Sequence, residues 1–378
     1  MLTRKLHFPY SVALVATGMV LALLPFSPRI SLTKDLLFGA LLPPLIFEAA
    51  LYLEWRELRR DLALILVLAT LGVLISAAVT AVGMHSLAQW QWQSSIVFGI
   101  LIAATDPVSV IATFREAKVQ GRLRLLVESE SLFNDGVAAV AFVIAIAATS
   151  GQSPTALGMT VAVVLAVGGG LLCGAIVAGV VLLLAGRTDD HLVELTFTTV
   201  AAYGSFLMAE SIGVSGVLAT LTAGLMLGNI GTLGVLSERG KEAIGAFWEY
   251  AAFVSNSLVF LLIGMHESRQ NFAAVWFAAL VAIAFVMVGR AAAIYPICLA
   301  FSKSSLRVSA AHQHVLFWGG LRGALALALA LGLPPDMPAR EDIIAVSFAV
   351  VAFSLFVQGL TMAPLLRALR ELPKRSVQ

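Results

Sequence analysis

Long apolar runs separated by short polar stretches dominate this chain. A helix needs about 20 mostly apolar residues to cross the hydrocarbon core of a bilayer. Twelve runs meet or approach that length: residues 10–25, 32–53, 61–84, 94–114, 122–148, 156–185, 189–210, 212–229, 243–265, 271–301, 310–331 and 341–369. The first is marginal, and those at 122–148 and 271–301 are long enough to require tilt or protrusion. Backbone groups in lipid must pair internally, so the runs are expected to be helices. A membrane β-barrel would instead alternate apolar and polar residues in stretches of about ten, and that pattern is absent. The expected class is an all-α polytopic membrane protein with about 12 transmembrane helices.

Composition agrees. Of 378 residues, 60% are hydrophobic and 12% charged, against about 45–50% and about 25% in soluble domains. A soluble globule lacks the polar residues to cover such a core. A cytosolic enzyme, a nucleic-acid binder and a disordered chain are excluded, and the net charge of +2 is too small for a polycation. Cys173 and Cys298 each lie inside an apolar run, which argues against a disulfide framework. No nucleotide-binding glycine loop, H-E-x-x-H pattern or Cys/His cluster with zinc spacing occurs, so no cofactor is expected. Residues 1–9 resemble the charged start of a signal peptide. No convincing cleavage site follows, Pro25-Phe26-Ser27-Pro28 reads as a loop, and a retained first span is expected.

The basic residues supply orientation. Numbering the connections alternately, one side holds both termini and the loops after even-numbered spans, with 18 Lys and Arg. The other side holds Arg29, Lys34, Arg269 and Arg340, and Arg290 and Arg322 within spans complete the 24. That asymmetry is a positive-inside signal placing both termini in the cytoplasm. An inner cell membrane is the expected location.

Ionisable residues inside membrane helices are costly and suggest function. In the fifth run, Glu128-Ser-Glu-Ser-Leu-Phe-Asn-Asp135 sets Ser131 and Asp135 on one helical face, and Glu130 and Asn134 on the next. Acids near a helix start are favoured by its dipole. That suits Glu128 and partly Glu130, but Asp135 lies too deep. In the fourth run, Pro107 of Ala103-Ala-Thr-Asp-Pro107 deprives the Ala103 carbonyl of its helical partner and displaces Asp106 from helical geometry. Such broken helices bind ions in secondary transporters; the plainer alternative is a kink satisfied by the Thr105 hydroxyl. In the eleventh run, Trp318-Gly-Gly-Leu-Arg-Gly323 combines helix-weakening glycines with Arg322, suited to neutralising broken-helix ends; close packing is the competing account of the glycines. Arg290 in the tenth run needs a buried anion, for which Glu130 is the best candidate. Glu48 in the second run is a site candidate, Glu210 and Glu249 lie near span ends, and His312 and His314 read as wetted end groups rather than pH sensors.

Together Phe47-Glu-Ala-Ala50, Ala104-Thr-Asp-Pro107, Glu130-Ser-Leu-Phe-Asn-Asp135, Arg290 and Gly319-Gly-Leu-Arg-Gly323 resemble the monovalent cation–proton antiporter family, in its NhaP/NHE-like (sodium/proton exchanger) branch. The resemblance covers nearly the whole chain. It implies a homodimer with inverted repeats and two crossed, broken helices. A core bundle around 94–148 and 271–369 would move against dimerisation or scaffold helices around 10–84 and 189–229. It implies that Asp135 carries the proton or the cation with Asn134 as companion, and that Thr105, Ser131 and Glu48 help bind the ion. Glu130 would pair with Arg290, while Asp106 and Arg322 balance the broken-helix ends. The family pattern usually has thirteen spans, and this chain is expected to start just after the first.

A carboxylate in a low-dielectric site competes for a proton, and a nearby cation favours its ionised form. Oxygen ligands suit an alkali cation. One competing carboxylate predicts electroneutral 1:1 exchange of Na⁺ (or Li⁺) for H⁺, serving pH homeostasis. K⁺/H⁺ exchange is an alternative of the same class. An intramembrane aspartyl protease using Asp106 and Asp135 is a distant one, since the G-x-G-D pattern is missing. A passive channel would need more polar pore-lining residues.

Overall fold

A computed structural model of the chain describes residues 10–24, 32–106, 110–111, 114, 119–149, 156–188, 190–231, 236–267, 272–369 and 371. Pro107, residues 1–9, the loop at 25–28 and nine of the counted basic residues (Arg4, Lys5, Arg29, Arg115, Lys118, Arg269, Arg370, Lys374 and Arg375) lie outside the described residues.

The described residues form helices and no strand. In chain order they are α1 (Tyr10–Ala22), α2 (34–51), α3 (Trp55–Ser86), α4 (Trp92–Leu101), α5 (Arg122–Thr149), α6 (Ala156–Ala185), α7 (His191–Ser211), α8 (Gly216–Ile230), α9 (Glu238–Glu267), α10 (Phe272–Ala300), α11 (Ala310–Trp318), α12 (Ala324–Leu331) and α13 (Arg340–Ala368). Seven of these, α3, α5, α6, α7, α9, α10 and α13, are each long and apolar enough to cross a bilayer. α1, α4 and α8 are shorter apolar helices.

Packing divides the chain into two compact units. The second comprises Lys34–Arg60 and Asp135–Val259. Here small residues let helices approach closely, as expected where lipid offers no hydrophobic drive between apolar surfaces. A methyl group on Gly224 would come within 2.8 Å of Ala50 Cβ and of the Phe47 carbonyl oxygen, and one on Gly228 within 2.8 Å of the Leu51 carbonyl carbon, so α8 lies against α2 backbone to backbone. α6 meets α8 in the same way through Gly170 and Gly174. A widened π turn at Leu37–Leu41 precedes Pro43 and Pro44 in α2. Pro44 has no N–H for the Ala40 carbonyl, and the Tyr203 hydroxyl donates to that oxygen instead, at 3.0 Å. Trp248 is fully buried against Phe47, with its indole N–H on Thr198 at 2.9 Å. Glu194 is buried and accepts the Ser237 N–H at 3.0 Å and hydroxyl at 2.9 Å, which caps the start of α9.

The first unit comprises Met1–Thr33, Asp61–Asn134 and Phe260–Gln378. α3 packs against α4 and α10, and α13 against α10, α12 and α4. Gly99 faces the Ala77 backbone, and a methyl on Gly289 would come within 2.8 Å of the Ser76 carbonyl. α1 crosses the end of α9 where Gly18 and Gly264 bring the two backbones together. Asp61 on α3 receives Arg122 of α5, with Nη2 at 2.6 Å, and the same guanidinium reaches the Leu306 and Arg307 carbonyls.

Candidate functional site

Two helical spans of the first unit are interrupted, and the interruptions meet. α4 ends at Leu101, a turn follows at Ile102 and Ala103, and residues 104–106 run without helical bonding. α11 ends at Trp318, and residues 320–323 separate it from α12. The Asp106 N–H donates to the Leu321 carbonyl at 2.8 Å, so one break is hydrogen-bonded to the other.

Backbone groups stripped of helical partners must be satisfied elsewhere. At the end of α4 the Ala103 and Ala104 carbonyls accept from Arg322 Nη1 at 3.0 and 3.3 Å. A helix C-terminus carries partial negative charge, and a guanidinium there is favourable. Asp106 lies at the opposite kind of end: a methyl on Gly323, the residue before α12, would come within 2.5 Å of Asp106 Cβ and 2.7 Å of its Cγ. That places an acid at the partly positive N-terminus of α12. Gly323 has φ −152° and ψ −141°, outside the left-handed region, and the close approach of Asp106 leaves no room there for a side chain. Gly320 makes comparable room, since a methyl there would come within 2.6 Å of Arg290 Nε.

α5 supplies the polar groups facing the first break. The Thr105 N–H donates to Asn134 Oδ1 at 3.1 Å, and Asn134 Nδ2 donates to Thr105 Oγ1 at 2.5 Å. Thr105 Oγ1 and Ser131 Oγ stand 2.9 Å apart, and the Ser131 hydroxyl donates to the Thr105 carbonyl. One proton order satisfies all four contacts: Asn134 amide to Thr105 hydroxyl, Thr105 hydroxyl to Ser131 hydroxyl, Ser131 hydroxyl to Thr105 carbonyl, Thr105 N–H back to Asn134. Each hydroxyl oxygen then donates once and accepts once, which leaves it one lone pair. The pair of hydroxyls can therefore offer oxygen to a cation without dismantling the break. The kink expectation gave the Thr105 hydroxyl to the Ala103 carbonyl; here Arg322 serves that carbonyl and the hydroxyl turns to Ser131.

One helical turn earlier, Glu130 is 2% exposed and faces Arg290 of α10. The contact is bidentate, Nη1 to Oε1 at 2.7 Å and Nη2 to Oε2 at 2.9 Å. Asn134 Nδ2 lies 3.3 Å from Glu130 Oε1, joining the ion pair to the hydroxyl cluster. Arg290 Nη2 also donates to the Leu316 carbonyl in the last turn of α11, at 3.0 Å. The structure thus brings Thr105, Ser131, Asn134, Glu130, Arg290, Asp106 and Arg322 into one unit. Asp135 follows Asn134 on α5, partly buried, on the same helical face as Ser131. Glu48 is partly buried on α2 in the second unit, one residue after the fully buried Phe47. His312 lies 3.5 Å from Glu371, and His314 Nδ1 lies 2.8 Å from the Tyr295 hydroxyl.

Sequence reasoning missed Ser354 and Gln358 on α13, both buried against the second break. The Arg322 N–H donates to Ser354 Oγ at 3.1 Å, and Gln358 Nε2 donates to the Trp318 carbonyl at 3.0 Å. Two polar residues four apart in an apolar run were the available signal. The fully buried Glu194 was also passed over, because it sits close to the start of its run.

Comparison with known proteins places the chain. A family model described as "Sodium/hydrogen exchanger, transmembrane" matches residues 1–368. The low-affinity Na⁺/H⁺ antiporter NhaS1 of Synechocystis sp. is 39% identical over 367 residues, covering 96% of this chain and 69% of that protein. The Na⁺/H⁺ antiporter NhaG of Bacillus atrophaeus is 38% identical, covering 97% of this chain and 72% of its own length. The sodium proton antiporter MjNhaP1 of Methanocaldococcus jannaschii superposes with a TM-score of 0.77 at 19% identity, covering 97% of this chain and 94% of that one, so the two share a fold. By the extent of the family match and the identity to these relatives, the chain belongs to the transmembrane sodium/hydrogen exchanger family.

Proposed function

We propose that this protein is a secondary active transporter that exchanges Na⁺ for H⁺, one for one, by competition of the two ions for Asp135. The observation that carries the reading is the Thr105–Ser131–Asn134 cluster at the first break. It gathers hydroxyl, amide and backbone oxygens of the first break and of the helix that bears Asp135. Na⁺ is a hard cation and takes such ligands. Ser131, Thr105 and Glu48 complete its shell in this proposal, and Asn134 holds Thr105 in place without ionising. Cation and proton exclude one another because each neutralises the same carboxylate. If the empty, ionised site does not cross between membrane faces, exchange is obligatory. Glu130 with Arg290, and Asp106 with Arg322, serve as fixed charge that holds the broken helices.

The proposal extends to architecture. Twelve spans result when α11 and α12 count as one span and α4 continues past its break. The two interrupted spans cross within inverted repeats, in the manner of transporters with half-helix ion sites. The working form is a homodimer in the inner cell membrane with both termini cytoplasmic. The bundle around 94–148 and 271–369 moves against helices around 10–84 and 189–229. Membership of a transporter family leaves the protease alternative without support.

Purified protein in proteoliposomes with an imposed pH gradient and a clamped membrane potential tests this. Na⁺ should dissipate the gradient without net charge movement, more strongly than K⁺. Asp135→Asn should abolish the exchange while leaving the protein folded by size-exclusion profile and melting temperature. Na⁺-dependent proton movement retained in folded Asp135→Asn protein would refute the assignment.

A further inference from the structure

In an unbroken helix the Arg322 N–H would donate to the carbonyl four residues earlier, that of Trp318. Here α11 stops at Trp318 and that bond is absent from its expected place. Both halves of it are taken by α13: the Arg322 N–H goes to Ser354 Oγ at 3.1 Å, and the Trp318 carbonyl accepts Gln358 Nε2 at 3.0 Å. Ser354 and Gln358 are 1% and 3% exposed. They belong to a π turn, Ser354–Gly359, that interrupts α13 at this level. Such turns arise where a helix is locally adapted, frequently at functional sites. The Ser354 hydroxyl has one proton and two acceptors in reach, the Arg322 carbonyl at 3.1 Å and the Val351 carbonyl at 2.9 Å. It therefore grips residue 322 by its N–H and also by its carbonyl whenever the proton points that way.

We propose that Ser354 and Gln358 are positioning residues for transport: together they replace the severed Trp318–Arg322 hydrogen bond, hold the second break open and aim the Arg322 side chain at the Ala103 and Ala104 carbonyls. Neither touches the hydroxyl cluster; they act through Arg322, whose guanidinium fixes the end of α4 and with it the register of Thr105. This rests on the exchange reading for its transport consequence and on geometry alone for its structural one. Buried groups that lose their partner cost enough to change an equilibrium severalfold. Without these two side chains the break can wander or reclose, and the ion site loses its preformed shape.

The test uses full-length protein in nanodiscs and proteoliposomes, with Ser354→Ala, Gln358→Met and the conservative Ser354→Thr. Amide hydrogen–deuterium exchange of the segment 319–323 should speed up in Ser354→Ala and Gln358→Met and stay at the wild-type rate in Ser354→Thr. In the same two variants the apparent KM for Na⁺ should rise roughly five- to tenfold, with Ser354→Thr within about twofold. Gln358→Met keeps the test decisive if Ser354→Ala folds poorly. Wild-type protection at 319–323 in both variants overturns the inference whatever transport shows. So does lost protection with unchanged KM, or a Ser354→Thr variant as impaired as Ser354→Ala. A wild-type protein that moves no Na⁺ sinks the exchange reading instead, and the deuterium measurement still decides whether α13 holds the break.

Discussion

Truncating Arg290 to alanine would leave Glu130, 2% exposed, as a buried carboxylate facing the space its partner filled. Two charge-assisted bonds at 2.7 and 2.9 Å disappear, and the Leu316 carbonyl loses its donor at 3.0 Å. Removing one partner of a buried pair costs about 3–5 kcal/mol, because the remaining charge keeps its desolvation penalty and loses its compensation. The orphaned carbonyl adds about 1 kcal/mol. The pair itself is worth far less than that sum, since burying both ions was costly to begin with. The single and double variants should therefore be strongly non-additive. Unfolding free energy from denaturant titration in detergent micelles should fall by about 4–6 kcal/mol in Arg290→Ala. Adding Glu130→Gln on that background should return at least about 2 kcal/mol, because a neutral amide no longer needs the guanidinium. An Arg290→Ala protein within about 1 kcal/mol of wild type, or a double variant worse than the single, would refute the description of this pair as a dry, mutually dependent unit.

Two further outcomes follow from other parts of the site. Gly323→Ala drives a methyl into Asp106, within 2.5 Å of its Cβ, and strains the Asp106–Leu321 backbone bond. It should cost about 1–3 kcal/mol and suppress Na⁺-driven proton flux; a melting temperature and flux equal to wild type would show that the breaks are looser than described. Glu48→Gln should weaken Na⁺ binding yet keep the 1:1 ratio, read as flux insensitive to membrane potential, and a change in that ratio would make Glu48 a second proton carrier.

The parts of this fold legible in the sequence were those where physics imposes a one-dimensional pattern. Apolar runs of bilayer length became helices, and charged residues inside them marked the breaks at 102–106 and 319–323. The Glu130–Arg290 contact could be anticipated because a buried guanidinium needs an anion and few acids were deep enough. What was not legible depended on neighbours distant in the chain. Nothing local to Ser354 or Gln358 says that they will meet the Arg322 N–H and the Trp318 carbonyl. The glycines at 320 and 323 suggested a weak helix or close packing, whereas each makes room for a particular side chain, Arg290 and Asp106 respectively. Nor does anything local to Ala40 say that the Tyr203 hydroxyl will serve its carbonyl in place of the N–H that Pro44 lacks.

The two arginines inside the spans share a task that their separate partners conceal. Arg322 binds the carbonyls just past the end of α4, and Arg290 binds a carbonyl in the last turn of α11. Each therefore meets the partly negative end of a half-helix. Asp106 lies at the start of α12, and Arg290 is paired with Glu130. In the proposed mechanism the electrostatics of both breaks close on these fixed groups. On α5, five residues separate Glu130 from Asp135, which at about 100° per residue puts them about 140° apart around the helix. The guanidinium held by Glu130 is accordingly directed to a different face from the one Asp135 shares with Ser131. An arginine locked on the Asp135 face would act as a permanent counter-ion, and neither a proton nor Na⁺ could compete with it. Segregating fixed charge to the Glu130 face is what allows the other face, in the proposed mechanism, to change its charge with each ion it carries.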